Sequence, residues 1–174
     1  MYHVMKEGIE LGRSWIRKDY QQKALPLFLL WKGILIFISK NREYRYLFGP
    51  VSISNNFSKL SKHLLISYIE QNAWDHYLSK YVKPKNKFKV NLPEIDSNVL
   101  LEKMKNIKNL DALISEIEMN HNKLPVLVRQ YLQLNAKIIS FNVDPKFNDS
   151  LDGFLILDYK NVPEETISML NKNQ

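Results

Sequence analysis

The sequence predicts an α/β (α+β) domain in which helices cover a mixed sheet. Three observations carry the prediction. Strand-like and helix-like segments alternate along the chain, the pattern of a sheet packed against helices rather than of a bundle or a sandwich. The 174 residues are 45% hydrophobic, enough for one domain with its own core and too few for two full ones. With 25% charged residues and only 5 Gly and 7 Pro, the composition is that of a folding chain, not of a linker or a disordered polymer.

The elements follow in order. Ile9 to Ile16, bounded by Gly8 and by Arg17-Lys18-Asp19, reads as a strand. Leu25 to Ser39 reads as a helix that is apolar nearly all round, so both its sides are expected to meet protein. Tyr44 to Ser54 is aromatic and β-branched but interrupted by Gly49-Pro50, which predicts a strand bent or bulged at its middle. Ser54, Asn55 and Asn56 then offer capping side chains to an amphipathic helix with Leu60, Leu64 and Tyr68 at i, i+4, i+8.

Between Ser79 and Pro93 the pattern collapses into a basic loop, with Lys80, Lys83, Lys85, Lys87 and Lys89, no acid, and Tyr81 and Phe88 interleaved. Ser97 to Ile107 and Leu110 to Met119 are short helical patterns separated by Lys108-Asn109, an expected inserted pair. Pro125 suits the first position of a helix over Val126 to Leu134, and Asn135 suits a left-handed cap. Ala136 to Val143 reads as a strand, Asp144 to Asp152 as a turn-rich loop and Phe154 to Leu157 as a final buried strand, with fraying expected from Asn171.

The charge balance of 25 Lys+Arg against 18 Asp+Glu leaves +7, and the isoelectric point is about 9.4. That favours anionic partners, whether phosphates, nucleic acid, acidic carrier proteins or lipid headgroups. The absence of cysteine excludes a disulfide scaffold, a thiol nucleophile and any Cys-bearing metal site in this chain. Met1 to Gly8 lacks the pattern of a secretory leader, so a cytoplasmic location is expected. The most apolar run, Ala24 to Ile38, is short of the roughly 20 residues that cross a bilayer and carries Lys32 and Gly33. It is expected as a buried core helix.

The common catalytic signatures are missing: no Walker loop, no G-x-G-x-x-G and no G-x-S-x-G. His3, His63, His76 and His121 are scattered without metal-ligand or His-x-x-x-x-Asp spacing, so no metal site is expected. Glu10-Leu11-Gly12-Arg13 is more informative. In a regular strand Glu10 and Arg13 face opposite sides, and a bulge at Gly12 would bring both to one face, where they could pair. A carboxylate so held could take a proton from an amine. The same pair could equally be a structural ion pair at a strand end, which the residues by themselves favour. Asp144, Asp149 and Asp152 read first as turn formers and second as an amine or cation site, and Arg129 as a counter-ion for a substrate carboxylate or for one of these acids.

Several longer runs carry a family resemblance. Glu10-Leu11-Gly12-Arg13-Ser14, Leu29-Leu30-Trp31-Lys32-Gly33-Ile34 and Tyr44-Arg45-Tyr46-Leu47-Phe48-Gly49-Pro50-Val51-Ser52-Ile53-Ser54 come first. Pro125-Val126-Leu127-Val128-Arg129-Gln130-Tyr131, Phe141-Asn142-Val143-Asp144-Pro145 and Leu151-Asp152-Gly153 follow. Together, over about residues 7–158, they resemble the hemolysin-like, ornithine-lipid-synthesising branch of the GNAT-related acyltransferases, and the Glu-x-x-Arg strand is similar to that of acyl-homoserine-lactone synthases.

The resemblance implies a single GNAT-like domain over 1–174 that lacks the usual N-terminal strands, with a basic and helical insert at about 75–123. Its sheet edge would be left by a shortened or fragmentary chain, or covered by another chain, which makes a homo-oligomer one expectation. The implied reaction moves a fatty acyl group from an acyl carrier protein or acyl-CoA thioester to an amino acid amine in aminolipid synthesis, with no tightly bound cofactor. Glu10 would be the base and Arg13 its orienting partner. The Leu47 to Val51 strand would splay from the Glu10 strand, and Phe48, Gly49, Val51 and Lys32 would meet the thioester arm. The N-terminal amides of the Trp31 helix would face phosphate. Arg129, Asn142 and Asp144 would meet the acceptor.

Tyr20-Gln21-Gln22-Lys23-Ala24 does not match the Gly-rich coenzyme A loop of the family, which favours the carrier protein as donor. Its acidic surface would suit Arg17, Lys18, Lys23 and the Lys80 to Lys89 loop, unless that loop is simply solvated. Asn135 stands where the family tends to place Gly. Work on a lipid product implies peripheral contact with the inner membrane face. The alternative function is a non-catalytic module of the same scaffold that binds an acyl carrier protein or an anionic membrane. Nucleic acid is a disfavoured third partner, because no recognised binding motif accompanies the lysines.

Overall fold

The computed structural model describes residues 1–12, 16–21, 23–89, 104–119 and 122–171. Four strands form one mixed sheet: β1 (Gly8–Glu10), β2 (Tyr46–Ile53), β3 (Lys137–Asp144) and β4 (Ser150–Asp158), in the spatial order β1-β2-β4-β3. β1 runs parallel to β2, whereas β4 is antiparallel to both of its neighbours. The helices are α1 (Tyr2–Lys6), α2 (Ala24–Lys40), α3 (Lys59–Asn72), α4 (Ile107–Ile117), α5 (Val126–Gln133) and α6 (Glu164–Asn171). Helices flanking a mixed sheet are the expected α/β (α+β) class.

Alternation of side chains along each strand divides the core in two. Leu47, Val51 and Ile53 of β2 and Leu151, Leu155 and Leu157 of β4 pack with Trp31 and Ile38 of α2, Leu64 and Ile69 of α3, Leu110 and Ile114 of α4, and Val128 and Tyr131 of α5. On the opposite face Tyr46, Phe48, Ile139 and Ile156 meet Val4 of α1 and Leu78. One face therefore carries most of the helices and the other a smaller cover. The segment at 75–123 takes part in both cores through Leu78, Leu110 and Ile114, and the Asp75 amide donates to the Ile138 carbonyl oxygen.

Several boundaries differ from the sequence reading, each for a local reason. The first strand stops at Glu10 and does not reach Ile16, and the short helix α1, absent from the sequence reading, folds back on it. A β-carbon on Gly8 would collide with the Val4 carbonyl oxygen and the Phe48 ring, so only glycine permits that fold-back. β2 has no bulge at Gly49-Pro50, since all eight of its residues pair in register with β4. The irregularity lies in β3, between Ile138 and Ser140, and leaves Ile139 to reach the smaller core. The α3 cap is Ser58, whose Oγ accepts from the Ser61 amide, rather than Ser54 to Asn56.

Lys108 and Asn109 lie inside α4, which starts earlier than read because the Asn106 side chain accepts from the Asn109 amide. Of the helix read over Ser97 to Ile107, residues 97–103 lie outside the described residues. β4 begins at Ser150, inside the expected loop, and the actual turn is carried by Asn148 and Asp149 at φ 53° and 50°. Asn135 has φ 63°, the left-handed conformation expected of it.

The largest difference concerns α2. Trp31, Leu35 and Ile38 are buried, but Leu25, Phe28, Leu29 and Phe37 are exposed, so only one side of this helix meets described protein. An all-round apolar pattern does not state which side is covered. Among the described residues no helix is long and apolar enough to cross a membrane.

Candidate functional site

The first strand and α2 enclose a groove of about 380 Å³. Ile9, Leu11 and Leu47 line its sheet side, and Leu29, Leu30, Ile34 and Phe37, with Gly33, its helix side. Every side chain in the lining is apolar. Gly33 leaves its part of the wall open, because nothing lies within 4 Å of where a β-carbon would stand.

At this groove β1 and β2 part. The Leu11 amide donates to the Phe48 carbonyl oxygen at 2.7 Å, and among the described residues β2 then runs on to Ile53 paired only with β4. The backbone groups of Tyr46 and Phe48 face β1, since the Tyr46 amide donates to the Glu7 oxygen. By the same alternation Pro50 and Ser52 turn theirs toward this open edge, where they meet no strand among the described residues. Proline is tolerated at such an edge, having no N–H to leave unpaired. Gly49 has φ 155°, and the Leu11 carbonyl oxygen lies 2.8 Å from the place of its missing β-carbon.

Glu10 pairs in register with Phe48, so its side chain belongs to the face opposite Leu47 and the groove. It is exposed, at the strand end where the pairing stops. Arg13, expected beside it, lies outside the described residues, and Gly12 is not part of a strand. Phe48 is buried in the smaller core against Phe154, with ring centres 6.3 Å apart, and Val51 is buried in the main core. Gly49 stands beside the parting, paired with Leu155 of β4 and with the Leu11 backbone against the place of its missing β-carbon. Lys32 lies half-buried on α2, next to Gly33.

The residues expected at the acceptor are not gathered there. Asn142 and Asp144 are on β3, the opposite outer strand, three strand spacings or about 14 Å across the sheet from β1. The Asn142 oxygen accepts from the Asn86 amide at 2.8 Å, and the Val143 amide donates to the Asn86 oxygen at 2.8 Å. These bonds pin the Lys80 to Lys89 segment to β3, with Phe88 against the main core. Asp144 accepts from the Lys146 amide in a turn-forming role, and Asp152 accepts from Ser150 Oγ.

Arg129, on α5, pairs with Asp111 of α4 at 3.3 Å and not with Asp144, Asp149 or Asp152. The two basic clusters assigned to one carrier surface also separate: Arg17, Lys18 and Lys23 precede α2, and the Lys80 to Lys89 segment is anchored at the far edge. Among the described residues no group of three or more acidic or histidine side chains is placed to hold a metal ion.

Sequence reasoning missed the groove. Its signal was present as a second set of apolar positions on α2, with Leu29, Leu30, Gly33, Ile34 and Phe37 at spacings of three and four, alongside the buried stripe of Trp31, Leu35 and Ile38. Fold and site together define an α/β protein with an apolar groove beside a parting in its sheet. No protein-family model, curated protein or solved structure matches the chain.

Proposed function

We propose that the protein is an N-acyltransferase that moves a fatty acyl group from a carrier-protein or coenzyme A thioester to an amino acid amine. The observation that supports this reading best is the wholly apolar groove running alongside the strand that ends in Glu10. A linear acyl chain gains about 0.8 kcal/mol for each buried CH₂, so such a groove suits an alkyl tail and offers nothing to a polar ligand.

The parting after Phe48 suits the rest of the donor. The open backbone groups of Pro50 and Ser52 can bond the amides of the donor's arm, and Arg17, Lys18 and Lys23 lie on the chain leading into the groove's helix, near enough to meet an acidic carrier. With the tail on one face of the sheet, the acceptor approaches from the other, where Glu10 stands. Its carboxylate takes a proton from the ammonium group, directly or through water. The amine nitrogen attacks the thioester carbon, the C–N bond forms and the C–S bond breaks; of the two protons the ammonium loses, one leaves with the thiolate as thiol and the other passes from Glu10 to solvent.

A second reading, a module that holds an acyl carrier protein without catalysis, uses the same groove and is favoured by the exposure of Glu10. Assay of the full chain with acyl carrier protein and acyl-CoA thioesters against ornithine, glycine and related amines decides between them. Transfer that Glu10→Gln abolishes, and that Gly33→Leu suppresses for long-chain but not short-chain donors, is the expected result. Carrier binding without transfer would establish the module. Neither transfer nor carrier binding would overturn both.

A further inference from the structure

The outward side of α2 is an apolar ridge with a cationic surround, and we infer that it is a docking surface for an anionic lipid bilayer. Leu25, Leu29 and Phe37 are 64%, 54% and 51% exposed, and Phe28 and Ile36 share their stripe. From Leu25 to Phe37 the ridge extends about 18 Å at the helical rise. That is far too short to cross a membrane, but it suits a helix lying in the plane of the headgroups.

The charge lies around that ridge. Residues 17–42 hold Arg17, Lys18, Lys23, Lys32, Lys40 and Arg42 against a single acid, Asp19, so they account for +5 of the chain's +7. Glu43 is the next acid in sequence. Asp19 is already paired with Arg17 at 3.0 Å. At the N-terminal end Arg17 and Lys23 both stand over the exposed Tyr20 ring, at 5.9 and 5.8 Å. An amphipathic aromatic ring with cations beside it is the arrangement favoured at headgroup level, where basic residues are drawn to an anionic surface.

Charge also decides against the other occupant of an apolar ridge, a second copy of the chain. In a two-fold dimer the same patch meets itself, so two positive surrounds would be brought together. A lipid surface is complementary in both respects. The inference does not depend on acyl transfer, because it is read without any donor.

Co-sedimentation of the full chain with vesicles of phosphatidylglycerol and phosphatidylcholine, and with phosphatidylcholine alone, tests it. Binding to the mixed vesicles that is about tenfold stronger than to the neutral ones and weakens with salt is expected. Leu25→Glu with Phe28→Glu, neither of which lines the groove, should abolish it while far-UV circular dichroism and transfer from soluble donors are unchanged. Lys23→Gln with Lys40→Gln should weaken binding and flatten its salt dependence, and Lys85→Glu with Lys87→Glu, on the segment pinned to the far edge, should leave it unaltered. Failure of the unmodified chain to sediment with mixed vesicles would overturn the inference. So would loss of binding in the Lys85/Lys87 variant alone, or conversion of a dimer to monomers by the Leu25/Phe28 variant with vesicle binding intact.

Discussion

The carbonyl oxygen of Leu11 lies 2.8 Å from the point where a β-carbon of Gly49 would stand. Gly49 also has φ 155°, which side chains rarely adopt. Both facts belong to the point where the first two strands separate, and the oxygen is backbone, so it cannot swing aside. Gly49→Ala should therefore destabilise the fold by about 1–3 kcal/mol. Urea unfolding checks this, and a loss below half a kcal/mol would mean that the Leu11 segment can retreat.

Gly33 makes the opposite case. It lies in the middle of α2, is exposed, and has open space where a β-carbon would be. Gly33→Ala removes the backbone freedom that glycine brings to the unfolded chain and should stabilise by about 0.8–1 kcal/mol. The contrast between the two substitutions in one thermal-melt series separates a glycine required by sterics from one that keeps the groove wide.

The start of α3 is tied to the end of α4 by a buried carboxylate. The Ser58 amide donates to Glu118 Oε1 at 2.9 Å. Burial pushes the Glu118 carboxyl up, but hydrogen bonds from the Ser61 hydroxyl and from the Ser58 amide and hydroxyl, with the nearby Lys62 charge, outweigh it and hold the group below its ordinary value. A depressed folded value means that the contribution is fully present above the unfolded value of 4.5 and is lost as pH falls through the lower folded one. Glu118→Gln should cost about 1–3 kcal/mol at neutral pH, and the difference between the two proteins should close as the solution is acidified. Urea midpoints at a series of pH values check both.

Much of this architecture can be read from the residues. Leu60, Leu64 and Tyr68 place α3, Pro125 and Asn135 bracket α5, and Ala136 to Val143 coincides nearly with β3, because in each case local pattern and tertiary packing ask for the same conformation. The failures lie where they diverge. Ser150 and Asp152-Gly153 have turn chemistry, yet Ser150 pairs with Asp144 of β3 and Asp152-Gly153 with the Ser52 end of β2, and pairing overrides it. Apolar residues continue past Glu10, but the ladder stops where the Leu11 backbone lies against Gly49. The groove depends on which of two apolar stripes of α2 is covered, a tertiary fact that hydropathy alone does not hold. The position of Asn142, three strands across the sheet from Glu10, likewise follows from strand order, not from any motif.

Arg129 gives the sharpest separation of a structural role from a substrate role. Its guanidinium meets one oxygen of Asp111 at 3.3 Å, and the other accepts from the Leu124 amide at 2.7 Å, so the pair ties α4 to the approach of α5. The side chains are 32% and 16% exposed, which leaves the pair only partly screened by water. Arg129→Gln removes the charge opposite a carboxylate that stays half-buried, and a loss of about 1 kcal/mol is expected. If joining α4 to α5 is all that Arg129 does, the KM for the amine in the proposed transfer will be unchanged at a temperature where the variant is folded, and Arg129→Lys will recover part of the stability. A rise in that KM with no loss of stability would instead return Arg129 to the acceptor site that the family resemblance implies.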